Sequence, residues 1–196
     1  MTYNDEICVS HPVKGLEEFG AVQAKELLAL LNKLPDEEIE LEAKDQQLLV
    51  RGSKTKAGIR RDDSCNTDEI FNALGELNDW KPLPSTFIPA VSFCLFSVGK
   101  EANKPLLTCV YVGGDCAMSS DNARITWYDL GEGFDMACVN IPSTAIKELK
   151  NFNPTEYTQT TGWIHFRTAD DVIFSCRTIS GQYPHEKIMS IIDGVK

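Results

Sequence analysis

One unit occurs twice in this chain. The first copy runs from Val22 to Arg61 and the second from Ile141 to Thr178. Each has an apolar lead-in, a short amphipathic helix, a Pro and then three strand-like runs. Val22 matches Ile141, Leu27 matches Ile146, and Pro35 matches Pro154, all 119 positions apart. After a slip of three residues, Leu48-Leu49-Val50-Arg51 matches Ile164-His165-Phe166-Arg167. One helix and three or four strands cannot cover both faces of their own sheet. The repeat therefore predicts neighbouring units that share one architecture.

The remaining periodicities complete the pattern. Glu6–Pro12 alternates as a short strand, and Lys14–Gly20 is a loop. A helix is expected over about 23–34, with Leu27, Leu28, Leu30, Leu31 and Leu34 on its buried face and Pro35 as its stop. Strands follow at 38–43, 47–51 and 54–59. Residues 61–78 are polar and turn-rich, the best linker candidate. Ser85 or Thr86 caps a second helix reaching about Val98, and strands follow at 106–112, 115–119 and 123–130. A strand at 134–141 leads to a third helix, capped by Ser143 or Thr144 and ending near Asn151. Three more strands follow at 155–160, 163–167 and 172–179, then an extended or turning tail. The order β-α-β-β-β, three times, predicts an antiparallel α+β fold with helices on one face of its sheets.

Composition narrows the function. The net charge of −10 over 196 residues argues against a general nucleic-acid binder, because phosphate contacts need clustered Lys and Arg. It leaves room for a local basic face, since charges beyond about 10 Å are screened at physiological salt. The seven Cys include no CxxC pair, and Cys94, Cys109, Cys138 and Cys176 sit in apolar runs. They read as reduced core thiols of a cytoplasmic protein. No basic and apolar leader opens the chain, and its apolar runs are far shorter than a membrane helix requires.

Signs of catalysis are few. His11, His165 and His185 are widely spaced, and His165 alternates with Ile164 and Phe166 as though pointing outward from a strand. Asp62-Asp63 and Asp170-Asp171 fall in turns, where Asp is favoured for its backbone geometry. No P-loop, GxSxG or HExxH occurs. The expectation is a protein with no catalytic site, metal or cofactor. A Cys-dependent hydrolase using Cys65 or Cys8 is the remote alternative.

Several segments, in order, resemble the bacterial beta sliding clamp, the processivity subunit of replicative DNA polymerase III. VQAKELLALLNKLPDEEIELEAKDQQLLVRGSKTK is similar to the second half of that clamp's first domain. KPLLTCVYVGGDCAMSSDNARIT resembles the middle domain's strand and its Thr-Asp-Gly-His-Arg-Leu turn. IPSTAIKELKNF and ISGQYPHEKI resemble that domain's second helix and closing Phe-Pro segment. The family has three domains of two half-units each, whereas this sequence holds three half-units, about 1–61, 79–133 and 134–192. The resemblance thus implies a half clamp domain with a linker over 1–78 and a complete domain, like the middle one, over 79–196. It implies either a fragment or a divergent, phage-type clamp.

The same resemblance implies the function. A ring would enclose duplex DNA and hold it through helices carrying modest positive charge, here Lys25 and Lys33, Lys147 and Lys150, with Lys100 and Lys104 after the second helix. It would assemble as a homo-oligomer. A pocket would take short peptides from polymerases and clamp loaders, lined by Leu107, Ser120, Asn122, Arg124, Ile125, Pro184 and Met189. Asn122-Ala123 replaces the family's Gly-His there. The alternative within this reading is a clamp-like module without a ring that competes for the same partners.

Overall fold

Two short strands open the chain, β1 (Thr2–Tyr3) and β2 (Ile7–Ser10). Then come α1 (Ala24–Leu31), β3 (Glu40–Lys44), β4 (Gln47–Arg51), β5 (Lys56–Arg60), α2 (Thr67–Leu74) and β6 (Lys81–Pro82). Next are α3 (Phe87–Cys94), β7 (Cys109–Gly114), β8 (Cys116–Ser120), β9 (Ile125–Asp129) and β10 (Met136–Pro142). The chain closes with α4 (Ser143–Leu149), β11 (Pro154–Thr160), β12 (Trp163–Thr168), β13 (Ile173–Arg177) and α5 (His185–Asp193). The structure is a computed structural model and describes residues 1–13, 20–35, 38–131 and 136–194. The loop expected over 14–20 and the start of the strand expected at 134 lie largely outside these residues.

The chain divides into two units, residues 12–75 and residues 76–196 together with 1–11. The expected division near 78 thus falls close to 75. The first eleven residues, expected with the small unit, belong to the large one, because β2 pairs antiparallel with β13.

The small unit is a three-stranded antiparallel sheet, β3-β4-β5, with α1 and α2. Register puts Leu41, Ala43, Leu48, Val50, Ala57 and Ile59 on one face and Glu40, Glu42, Arg51, Lys56 and Arg60 on the other. Leu48, Val50 and Ile59 are buried. The leucine-rich face of α1 is covered only in part: Leu27 and Leu30 are half-buried, no residue of the helix is fully buried, and Leu28 is 61% exposed. It also ends at Leu31, before Pro35. Part of the expected linker is helical. Asn66 caps α2 by accepting from the Asp68 and Glu69 N–H groups, the usual way a side chain satisfies orphan helix donors.

The large unit holds two antiparallel sheets, β1-β2-β13-β12-β11-β6 and β10-β7-β8-β9. One core joins them to α3 and α4 through Phe87, Val91, Ile146, Leu149, Val112, Ile164, Phe166 and Phe174. The Phe87 and Phe166 rings lie 5.5 Å apart. Burying each such side chain is worth about 1.5–3 kcal/mol, enough for this core to dominate the unit's stability. Residues 106–108, expected as the start of a strand, belong instead to a 3-10 turn, Pro105–Thr108, ahead of β7. The Pro105 ring, with its fixed φ, begins it. Neither expected side-chain cap forms: Thr86 occupies the start of α3 without a cap bond, and Ser143 is already helical.

The tail expected to be extended is the helix α5. Ile188, Met189 and Ile192 pack with Tyr111, Met118 and Tyr183. Tyr111 stacks on Tyr183 at 5.3 Å and on His185 at 5.2 Å. The apolar stripe is short, so tertiary packing rather than periodicity makes this segment helical.

Two side chains depart from expectation. Cys138 is exposed, because the β10–β7 register shifts between Met136 and Val139, and the thiol meets Tyr111 Oη at 3.0 Å. His165 does lie on the sheet face opposite Phe166, yet it is fully buried.

Candidate functional site

A cavity of about 300 Å³ opens between the end of α3, the turn before β7 and the β8–β9 turn. Its apolar wall is Val98, Gly99 and Leu107. Its polar rim is Lys100, Glu101, Lys104, Asp121, Asn122 and Arg124.

Local structure explains the shape. Past α3 the chain makes a 3-10 turn, Leu95–Ser97, pinned from inside by hydroxyl groups. Ser97 Oγ contacts Ser119 Oγ at 2.7 Å and donates to Thr126 Oγ1 at 2.5 Å, while Ser119 Oγ donates to the Cys94 carbonyl. The loop then returns on itself, with Gly99 N–H donating to the Leu107 carbonyl at 2.7 Å. A Cβ at Gly99 would sit 3.2 Å from that carbonyl oxygen, so the close approach favours glycine.

The opposite wall is the turn from Asp121 to Arg124. Asn122 takes a left-handed conformation, φ 71°, which Asn tolerates better than most residues. Asp121 Oδ1 accepts from the Ala123 and Arg124 N–H groups. Its Oδ2 accepts from Arg124 Nε at 2.8 Å and Nη2 at 2.5 Å. The Arg124 side chain and these N–H groups hold the Asp121 carboxyl at about 2. Arg124 also lies over the Phe96 ring at 4.8 Å. Lys104 pairs with Glu101 at 2.7 Å. Lys100 has no ion-pair partner among the described residues, so it is the cation at the rim with charge left to offer.

The structure separates the seven expected pocket residues. Leu107, Asn122 and Arg124 line the cavity. Ser120 is buried at the end of β8, its Oγ accepting from Asn122 N–H at 3.3 Å. Ile125 and Met189 pack in the cluster under α5, and Pro184 is exposed at that helix's start. Lys100 and Lys104, expected to face DNA, stand on the cavity rim. Lys25 lies in α1 and Lys33 just beyond it, while Lys147 lies in α4 and Lys150 caps it; all four are exposed. Sequence reasoning missed Asp121 as the residue that aims Arg124, although an Asp three residues before an Arg in a turn is a readable signal. It also missed Phe96.

His165 and Cys8 are both buried. His165 Nδ1 meets Ser175 Oγ at 2.8 Å and Nε2 meets Thr160 Oγ1 at 2.9 Å, but burial closes the group to solvent and depresses the imidazole to about 4. Cys8 is 1% exposed and burial raises its thiol, the opposite of what a nucleophile needs. Among the described residues, no group of three or more His, Cys, Asp or Glu could hold a metal ion, and no helix is long and apolar enough to cross a membrane.

No protein-family model matches the chain, and no curated protein matches it. Its fold is that of the DNA sliding clamps. It superposes on a putative DNA polymerase III beta subunit from Eubacterium rectale ATCC 33656 with a TM-score of 0.77 at 20% identity, covering 95% of this chain and 55% of that one. The DNA polymerase III beta chain from Streptococcus pneumoniae TIGR4 gives 0.75 at 19%, covering 94% and 55%. The DNA polymerase sliding clamp from Bacillus subtilis gives 0.68 at 18%, covering 91% and 53%. The chain thus spans about half the length of the structures it matches.

Proposed function

We propose that this protein is a clamp-like processivity factor of DNA replication, with no catalytic site of its own. It would encircle duplex DNA as a homo-oligomeric ring and dock polymerase and clamp-loader peptides. The observation that carries this reading is the cavity. On a sliding-clamp fold, Leu107, Asn122 and Arg124 line a recess with an apolar wall and a polar rim, the form that captures an extended peptide. The exposed lysines of α1 and α4 supply loose phosphate contact, and a ring needs no more, because topology rather than affinity retains the DNA.

A second reading is a clamp-like module that binds the same peptides without closing a ring. Primer extension on a singly primed circular template separates the two, using the host's replicative polymerase and loader. Longer products per binding event are expected from the protein, and not from its Arg124→Ala variant. A C-terminal peptide of the same polymerase, followed by fluorescence anisotropy, supplies the second arm. Peptide binding without longer products establishes the ringless module. Neither effect sinks both readings.

A further inference from the structure

Helix α5 divides one apolar surface into an open part and a covered part. Leu107 and Arg124 line the cavity. Their chain neighbours Leu106 and Ile125 belong to the cluster beneath α5, with Tyr111, Met118 and Tyr183. The turn before β7 and the start of β9 are thus walls to both parts. α5 covers the second part through Ile188, Met189 and Ile192.

This helix is held lightly. It has nine residues, and helices shorter than about 12 residues are marginal in water without packing. Its N-cap, Pro184, makes no side-chain cap bond. Ile188 is its fully buried residue, while Ile191 is 47% exposed. The chain just before it is fixed more firmly. Buried Asn140 donates through Nδ2 to the carbonyls of both Ile179 and Gly181, at 2.9 and 3.0 Å. Gly181 takes φ 136°, which favours glycine, and a Cβ there would sit 3.2 Å from Leu106. A firm anchor followed by a short helix with little buried apolar surface is a segment that opens locally at low free energy.

We propose that α5 is a built-in lid on the peptide site. Closed, it fills the apolar strip beside the cavity. Swung out about residues 181–184, it yields that strip to a peptide already anchored in the cavity. Alternate side chains of an extended peptide stand about 7 Å apart on one face. One apolar side chain seated against Leu107 leaves the next to be placed, and the strip of Leu106 and Ile125 is the adjoining apolar surface. The closed lid lowers peptide affinity by the fraction of molecules that are open. It also selects for peptides with two apolar anchors, since a single anchor gains nothing from opening it. The inference rests on the peptide-docking reading above for what occupies the strip.

Hydrogen exchange read by mass spectrometry and fluorescence anisotropy, both on the full chain, test it. The probe is the C-terminal peptide of the host's replicative polymerase. In the unaltered protein, α5 amides are expected to exchange at least about tenfold faster than those of β7 and β8, and saturating peptide should speed them further. Ile188→Ser removes the buried anchor without adding charge. It should open α5 and tighten peptide binding several-fold, while β7 and β8 keep the protection that shows the variant folds. Ile192→Ser, at a half-buried position, should give the same sign at smaller size, and it decides the matter if Ile188→Ser loses that protection. Ile191→Ser, on the exposed face, should change neither readout. Equal peptide affinity with and without the Ile188 side chain overturns the lid and leaves docking at the cavity standing. So does an α5 that exchanges as slowly as β8. A peptide that binds neither protein, even with α5 open, sinks the docking reading itself and this proposal with it.

Discussion

His165 shows how burial sets a residue's behaviour. Two hydroxyl groups, Ser175 and Thr160, satisfy both ring nitrogens, and desolvation depresses its pKa from 6.5 to about 4. Between those values the unfolded chain takes up a proton that the folded chain refuses. The stability that His165 contributes is therefore complete above pH 6.5 and is lost as pH falls towards 4. The full difference is about 3 kcal/mol. Urea denaturation at pH 7 and pH 4.5 is expected to show most of this loss, and His165→Asn to show less. Equal pH dependence in the two proteins would count against this account. The alternation that placed His165 on the face opposite Phe166 was readable from sequence. Its burial was not, because that depends on what covers the sheet, and no period of two reports it.

At the scale of elements, the hydroxyl groups behind the cavity matter most. Ser97 ties the end of α3 to β8 and β9 through Ser119 and Thr126, all of them buried. Ser97→Ala leaves buried oxygens without a partner, at a cost of about 1–3 kcal/mol. Because the groups act together, Thr126→Val combined with Ser97→Ala is expected to cost less than the sum of the single changes. Chemical denaturation of the three variants measures this, and strict additivity would contradict the network. The helices themselves were uneven in legibility. Those at α1, α3 and α4 were visible as apolar spacing, while α2 and α5 were not. α2 follows directly on the polar, turn-rich stretch Asp62–Asn66 and α5 on Pro184, so both read as turning segments without the surface that they cover.

For the whole molecule, the N-terminal strands are the telling feature. Val9 pairs with Phe174 and Cys8 with Ser175, and Arg177 Nε donates to the Asp5 carbonyl at 3.0 Å. Residues 1–11 thus close one side of a sheet whose other strands begin beyond residue 80. Deleting them is expected to lower the melting temperature of the large unit by at least about 5 °C. It should also speed amide exchange along β13. Calorimetry and exchange mass spectrometry read both, and an unchanged β13 would show that the added strands are dispensable.

The sequence by itself determined the repeated helix-and-strand unit, the antiparallel α+β class and the order of most elements. Their cause is local: apolar spacing, turn residues and Pro act over a few positions. Three of the cavity residues, Leu107, Asn122 and Arg124, were reached only through the resemblance of their segments to the clamp family. Only the tertiary structure decided that residues 1–11 join β13, that Cys138 is exposed, and that Lys100 and Lys104 stand with Arg124 around one recess. Those facts depend on which distant segments meet, and pairing between residues far apart in the chain leaves no period in the sequence to read.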